Sequence, residues 1–304
     1  MATASPPRPL RIGYIPEHFS TPLFFARKHF DLDAELVPFR KGTADLVAGL
    51  KAPKGDSHID VAIGLTEGFV SDLGKGKAAG SENQYGLVGT YVQSPLCWAI
   101  STGAGRGNLQ GVKDLKGKKV GVSKIGSGSY VMSFVLADQQ GWLQEGAAPF
   151  EVVPCGDINA LNAAVAPAEG ESAKADFFMW EHFTTKYLWD AGALRKIGEI
   201  YTPWPSWVIA ARNDGEVHAS LADLSEKLNA GIAHYRKSLD EAADHISSTM
   251  DYTKDDAHAW METVQFVDDV KTVEPRVIDE TVRLLRKAGV LTDASGGSEH
   301  MIRS

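Results

Sequence analysis

Short apolar runs alternate with longer segments of mixed apolar and polar residues along most of the chain. LRIGYI, AELVPFR and IDVAIGL are typical of buried strands, and TPLFFARKHF, TADLVAGLKA and TEGFVSDLGKG follow them as predicted helices. The pattern restarts with the strands GKKVGVSK, FEVVPC and ADFFMWE, each again followed by a helical segment. This alternation predicts an α/β fold with parallel sheets covered by helices.

Two longer β-type runs bracket the middle block. GLVGTYVQSPLCWAIS carries Pro95 near its middle, and PSWVIAARND begins at Pro205. Proline within a β run indicates a sheet edge or a passage between sheets. The sequence therefore predicts a discontinuous lobe I, residues 1–93 and 207–304, and a lobe II, residues 94–206. Two hinge strands should cross between them side by side, with PLCWAI and PSWVIA as the paired segments.

The last third of the chain shows helical patterns only. SLADLSEKLNAGIAHYRKSLDEAADHISSTM, DDAHAWMETVQFV and EPRVIDETVRLLRKAGV are the predicted helices. The tail TDASGGSEHMIRS is rich in small and polar residues, so we expect it to be loose.

The composition of the chain argues against several classes of function. A chain of 304 residues has room for two lobes, and a net charge of −8 argues against nucleic acid as a partner. No apolar run is long enough to span a membrane, and the start MATASPPRPLRIGY lacks the apolar core of a signal peptide, so a cytoplasmic location is expected. Neither Cys97 nor Cys155 lies in a CxxC motif, so we predict no metal, no cofactor and no disulfide.

Four segments together resemble a known fold family. GYIPEHFSTPLFFA, GTADLVAGLKA, VKDLKGKKVGVSKIGSGSY and ADFFMWEHFTTKYL are similar to type II periplasmic-binding proteins, in the right order over residues 10–290. They most resemble the branch of alkanesulfonate-, nitrate- and taurine-binding proteins and thiamine-pyrimidine synthases, and within it leaderless eukaryotic, Candida-type solute-binding-like proteins. The resemblance implies two α/β lobes that close over a small molecule. The synthases carry a cysteine-rich cluster that this chain lacks, so the resemblance supports their fold more than their chemistry.

Candidate binding residues lie in loops that follow strands, where open α/β sheets bind ligands. The loop PEHFST carries an acid, an imidazole, a phenyl ring and two hydroxyls, more chemistry than a connector needs. Capping of the next helix is the alternative role for its hydroxyls and for the Thr-Glu pair of GLTEGF. The predicted ligand-binding residues of these two loops are His18, Phe19, Ser20, Thr66, Glu67 and Gly68.

The second lobe supplies a matching set. SKIGSGSY opens a helix with glycines and hydroxyls, but it is neither GxGxxG nor a P-loop, so a small polar group is favoured over a nucleotide. MWEH places a tryptophan and an acid at a strand end, with core packing and helix capping as the alternative. The predicted residues are Ser127, Gly128, Ser129, Trp180, Glu181, His182 and Trp204.

Three functions from different classes remain open. Carboxylates and aromatic rings in the loops favour an amine-bearing heteroaromatic ligand, such as a thiamine-precursor-like pyrimidine, held by a binding protein. The alternatives are a small anion such as a sulfonate, or an enzyme on the same scaffold with a histidine as acid or base. No nucleophile–base spacing is present, so no catalytic residue is predicted. A structural protein without a ligand is the third possibility, and the oligomeric state stays open.

Overall fold

The computed structural model describes residues 8–143, 148–166 and 172–303. Part of the start discussed above, residues 1–7, lies outside the described residues. The chain divides into two compact units: unit 1 is Met1–Ser94, Pro205–Asp279 and Ala294–Ser304, and unit 2 is Pro95–Trp204 and Glu280–Asp293. Residues 280–293 thus group with unit 2, unlike the expected lobe I, because Lys287 pairs with Asp138 at 2.9 Å. Whether the units move as lobes stays a prediction.

Unit 1 contains a five-stranded mixed sheet. Its strands are β1 (Leu10–Tyr14), β2 (Ala34–Pro38), β3 (Val61–Leu65), β4 (Tyr85–Val92) and β10 (Trp207–Arg212). They lie in the order β2-β1-β3-β10-β4, with β1, β2 and β3 parallel and β10 antiparallel to both of its neighbours. Nearly every residue of β3 is buried, as expected for a central strand covered on both faces.

Unit 2 repeats this arrangement. Its strands are β5 (Cys97–Gly103), β6 (Lys119–Val122), β7 (Glu151–Pro154), β8 (Phe177–Glu181) and β9 (Leu194–Tyr201). The order is β7-β6-β8-β5-β9, with β6, β7 and β8 parallel and β5 antiparallel to β8 and β9. In each sheet, one antiparallel strand directly follows a crossing of the chain between the units. β5 follows the first crossing, and β10 follows the second.

Helices follow the parallel strands, which confirms the predicted alternation. The helices that follow parallel strands are α1 (Thr21–His29), α2 (Thr43–Lys51), α3 (Thr66–Ala78), α4 (Gly128–Gln139), α5 (Ile158–Val165) and α6 (His182–Asp190). After β10 the chain continues with α7 (Gly215–Lys237), α8 (Leu239–Thr249), α9 (Lys254–Met261) and α10 (Pro275–Lys287). Within the described part of the chain, no helix combines the length and apolar character needed to cross a membrane. In unit 2 the core lies between the sheet and α5 and α6, around Leu161, Phe178 and Leu188.

The side-by-side position of the two crossing segments is confirmed within each unit. In unit 1, Ser206 donates from its backbone N–H and its hydroxyl to the carbonyl of Ser94. In unit 2, Leu96 and Thr202 exchange two hydrogen bonds, of 2.9 and 3.1 Å. The predicted pairing of PLCWAI with PSWVIA is wrong, because β5 pairs with β8 and β9 whereas β10 pairs with β3 and β4.

Two further expectations are corrected. The segment LRKIGEIY, for which no strand was predicted, forms β9 at the edge of the second sheet. The tail is not loose where the structure describes it: Leu87 of the edge strand β4 bonds to the backbone of Met301 and Arg303, at 2.7 and 2.8 Å. Met301 is fully buried, so the tail covers an otherwise open sheet edge.

Candidate functional site

The four predicted loops each lie at the carboxyl end of a parallel strand and lead into a helix. In unit 1, β1 ends before the loop that opens α1, and β3 runs directly into α3 at Thr66. In unit 2, β6 precedes the loop that opens α4, and β8 runs directly into α6 at His182. The local geometry is therefore that of ligand-binding loops in open α/β sheets, while the ligand contacts themselves stay a prediction.

His18 is buried in an aromatic cluster of unit 1. It begins a short 3-10 turn, and its ring packs edge-on against Tyr252 and Trp260, with centroid distances of 4.6 and 4.4 Å. Burial lowers the pKa of His18 well below its ordinary value. The imidazole is therefore neutral at pH 7 and is held as part of a packed aromatic wall.

Phe19 stacks on Trp207 of the neighbouring strand β10, with ring centroids 4.9 Å apart. Together with Tyr14, Ile15 and Tyr91, these rings line a narrow apolar pocket under the loop. Phe19 and Trp207 are only 4% and 2% exposed, so these rings form closed packing near the carboxyl end of the sheet.

The hydroxyls of unit 1 bond to backbone carbonyls. Ser20 donates to the carbonyl of Glu17 at 2.7 Å, and Thr66 donates to that of Pro205 at 2.6 Å. Neither hydroxyl accepts a capping bond at the start of α1 or α3. The capping alternative is thus not observed for Ser20 or Thr66, and both hydroxyls fix the backbone of their loops.

Glu67 and Gly68 occupy the first turn of α3. The Glu67 side chain is only 2% exposed, and an acid there interacts favourably with the helix dipole. A Cβ at Gly68 would lie 2.6 Å from the methyl carbon of Thr43, at the start of α2. Close packing of α3 on α2 therefore explains the glycine without a ligand.

The loop before α4 is organised by its own hydroxyls. Ser127 accepts from the N–H of Tyr130 and donates to the carbonyl of Lys124, and Ser129 accepts from the N–H of Ser123 at 3.0 Å. Gly126 has a φ of +81°, a conformation that favours glycine, whereas Gly128 is the first helical residue. This loop is thus a folded turn whose hydroxyls are partly engaged within it, and its contact with a small polar group stays a prediction.

Glu181 caps α6. Its carboxylate accepts a hydrogen bond from the N–H of Thr184 at 2.7 Å, and its side chain is buried at 7% exposure. Burial raises the pKa of Glu181 to about 7, although bonds from α6 oppose the shift. The capping alternative is thus observed, and the carboxyl is poised to change its charge near neutral pH.

The two tryptophans predicted for this site are packed to different degrees. Trp180 is half-buried against the apolar cluster of unit 2, in agreement with the core-packing alternative. Trp204 is buried, and its carbonyl accepts from the hydroxyl of Thr202 at 3.0 Å. Trp204 therefore belongs to the crossing segment itself.

Helix starts differ between the units. The three strand-following helices of unit 2, α4, α5 and α6, are each capped by a side chain that accepts a backbone N–H. None of the corresponding helices α1, α2 and α3 of unit 1 has such a side-chain cap. Among these six helices, the starts without a side-chain cap are thus those of unit 1, although the N–H of Thr66 already donates to the carbonyl of Ser206 at 3.1 Å.

His182 lies in a polar cluster that the sequence did not reveal. Its Nδ1 is 3.9 Å from the thiol of Cys97 and 3.3 Å from the ammonium of Lys196, and Lys196 also pairs with Glu199 at 2.5 Å. Tyr201 donates to the other oxygen of Glu199 at 2.8 Å. Three of these residues, Lys196, Glu199 and Tyr201, lie on strand β9, which was not predicted from the sequence.

Comparisons with known proteins identify the family to which this chain is similar. The family model of Ca3427-like periplasmic-binding proteins matches residues 98–200. The Candida albicans CA3427 gene product, described as defining a new family with the generic periplasmic binding protein fold, is 38% identical. It superposes with a TM-score of 0.82 over 97% of this chain and 96% of that chain. No curated protein sequence matches.

Two bacterial sulfonate-binding proteins share the fold at low identity. The periplasmic aliphatic sulphonate binding protein SsuA from Escherichia coli is 16% identical, with a TM-score of 0.71 over 98% of each chain. The alkanesulfonate-binding SsuA from Xanthomonas axonopodis pv. citri, bound to MOPS, is 17% identical, with a TM-score of 0.71 over 99% of each chain. The predicted α/β type II periplasmic-binding-protein fold is confirmed.

Proposed function

The chain belongs to the Ca3427-like family of periplasmic-binding-protein folds, which is a fold of small-molecule binders, and from this premise we propose that its strand-end loops contact a small ligand. The observation that carries the proposal is the position of the loops: residues 15–20, 66–68 and 123–129 follow parallel strands and open helices, and residues 180–182 span the end of β8 and the start of α6. Closure of two lobes over the ligand and a cytoplasmic location stay predictions.

We infer that the ligand is flat and carries an amine. The first loop supports a planar group through its aromatic character, although the stacked rings of Phe19 and Trp207 are buried and contact a ligand only if the loop opens. Glu67 and Glu181, both nearly buried, stand at the start of helices that follow two of the site strands. A protonated amine that reaches a carboxyl of this kind forms a charge-assisted hydrogen bond.

Glu181 gives this proposal a measurable signature. Since burial raises its pKa to about 7, the carboxyl is partly protonated in the free protein at neutral pH. A bound ammonium group favours the ionised carboxylate, so binding releases a proton. The affinity for an amine should therefore rise as the pH increases through about 7, and then level off.

A small anion is the second candidate. The starts of α1, α2 and α3, which lack a side-chain cap, favour it, because the dipole at a helix N-terminus attracts negatively charged groups. The two SsuA proteins are sulfonate binders by their descriptions, although at 16% and 17% identity they support only the fold. An anion near Glu181 would be opposed by the ionised carboxylate, so its affinity should fall as the pH rises.

Calorimetric titration with an aminomethylpyrimidine, whose aminomethyl group is an ammonium at neutral pH, and with MOPS, on either side of neutral pH, separates the candidates. We expect the aminomethylpyrimidine to bind more tightly at the higher pH, by up to about tenfold. The Glu181→Gln variant should lose this pH dependence. If only MOPS binds, and binds more tightly at low pH, the ligand is an anion and the proposed amine is wrong. If neither compound nor any other small molecule binds, the proposed function is wrong.

A further inference from the structure

Three elements of unit 2 bring different metal-ligating side chains to one point. Cys97 begins β5, His182 begins α6 directly after β8, and Glu199 lies on β9. The strands β8, β5 and β9 are neighbours in the sheet. Residues far apart in sequence are thus held together by regular sheet pairing, so the arrangement belongs to the folded scaffold.

The donor atoms are close to the spacing that a metal requires. The Cys97 sulfur is 3.9 Å from the Nδ1 of His182 and 3.7 Å from the Oε2 of Glu199, and the last two atoms are 3.9 Å apart. Around tetrahedral zinc, thiolate, imidazole and carboxylate donors are separated by about 3.3–3.6 Å. Small side-chain rotations are sufficient to close the difference.

A cation already lies against two of the three donors. The Lys196 ammonium pairs with Glu199 at 2.5 Å and lies 3.3 Å from the same Nδ1 of His182. Its side chain is about one third exposed and passes beside the ring of Trp189 at 5.8 Å. The ammonium therefore marks a position that attracts positive charge, and its flexible stem allows it to leave toward solvent.

We propose that Cys97, His182 and Glu199 form a binding site for a divalent transition metal of the zinc type, with Lys196 as the internal cation that the metal displaces. The sulfur, nitrogen and oxygen donors match the ligands that zinc prefers, and three protein ligands leave a fourth position for water or another small ligand. On binding, a metal–sulfur bond replaces the S–H bond, and the thiol proton passes to solvent.

The surroundings supply further charge and hydrogen bonding. Tyr201 donates to the second oxygen of Glu199 at 2.8 Å, which orients the carboxylate toward the cluster. The side chain of His182 is 21% exposed and that of Glu199 is 36% exposed, so the site is accessible to ions. This inference does not depend on the proposed small-molecule function, since its test uses the metal alone.

A second cluster, in unit 1, also offers metal donors, so the experiment must distinguish the two. His29 and His234 each bond to the carboxylate of Glu241 at 2.8 Å, and Lys28 pairs with it at 2.6 Å. This cluster also offers three metal donors, but it contains no sulfur. A signal that is specific for a thiolate ligand therefore distinguishes the two clusters.

Titration of the reduced, full-length chain with Co²⁺ provides that signal. We expect one equivalent to give tetrahedral cobalt bands together with a thiolate-to-cobalt charge-transfer band. The band should be lost in Cys97→Ser and kept in the matched control Cys155→Ser, and His234→Gln should keep it as well. Absence of the band in the wild-type chain, or its survival in Cys97→Ser, would overturn the site.

Two further variants keep the test decisive if Cys97→Ser folds poorly. His182→Gln should weaken cobalt binding by about tenfold or more, since one of three ligands is lost. Lys196→Met should strengthen it by about tenfold, because the metal no longer has to displace an ion pair. A merely structural cluster would show neither change. Unaltered or weaker binding in Lys196→Met would refute the displacement.

Discussion

The buried carboxyl of Glu181 makes the stability of the protein depend on pH. The pKa of this carboxyl rises from an unperturbed 4.5 to about 7 in the folded chain, chiefly because burial disfavours the charged form. Below the lower value the group is protonated in both states, and above the upper value it is ionised in both. The folded state is therefore destabilised progressively as the pH rises from 4.5 through about 7.

The magnitude follows from the two pKa values. At about 1.4 kcal/mol for each tenfold change in proton affinity, the difference between 4.5 and about 7 corresponds to about 3 kcal/mol. Glu181→Gln removes the charge, while its amide oxygen still accepts the capping bond from Thr184. The free energy of unfolding of the variant should exceed that of the wild type by about 3 kcal/mol at about pH 8, and by less than about 1 kcal/mol at about pH 5.

Urea unfolding at both pH values measures this difference. Glu226→Gln, an exposed glutamate on α7, is the matched control and should leave both values unchanged within about 0.5 kcal/mol. If Glu181→Gln is no more stable than the wild type at the higher pH, the carboxylate is favourably paired in the fold. The explanation by burial would then be wrong, and so would the proton release expected on binding of an amine.

Three other perturbations test the packing and charge of unit 1. Gly231→Ala in α7 should lower the free energy of unfolding by about 1–3 kcal/mol, since the new Cβ would overlap the backbone of α1, whereas Gly215→Ala in the same helix meets nothing within 4 Å and should not. The His18 ring should stay neutral in an NMR titration from about pH 8 to 5.5, and a midpoint near its ordinary value would contradict its burial. Lys28 and two histidines lower the pKa of Glu241 to about 2, so this carboxylate contributes stability above 4.5 that is lost as the pH falls toward 2. In acid, the melting temperature of Glu241→Gln should depend less on pH than that of the wild type. An unchanged dependence would show that the Glu241 cluster does not stabilise unit 1.

Most of the fold could be predicted from the sequence, because buried parallel strands appear as short apolar runs and their helices as longer segments of mixed apolar and polar residues. It missed β9, whose LRKIGEIY mixes charges and a glycine without clean alternation. A register shift between Ile100 and Ser101 of the paired strand accounts for this, since it lets Lys196 and Glu199 meet although they lie three positions apart along β9. The tail was misjudged because its composition does not reveal that its backbone pairs with β4.

The positions of the candidate loops were predictable, whereas their internal bonding was not. Strand ends can be read from the pattern, and the loops lie there. The bond from Ser20 to its own loop and the bond from Thr66 to residue 205 depend on how the loops fold and on which strand is inserted next to β3. The cluster around Cys97 depends on three neighbouring strands, so no local motif could indicate it.

Hydrogen–deuterium exchange of the full chain, with and without the small molecule that native purification retains, tests the central claim most directly. If the strand-end loops bind the ligand, peptides that cover residues 15–21, 66–70, 123–130 and 180–184 should exchange more slowly in its presence, in unit 1 and in unit 2 alike. Protection confined to other parts of the chain, or a chain that retains no small molecule and gains no protection from any that is added, would contradict the account.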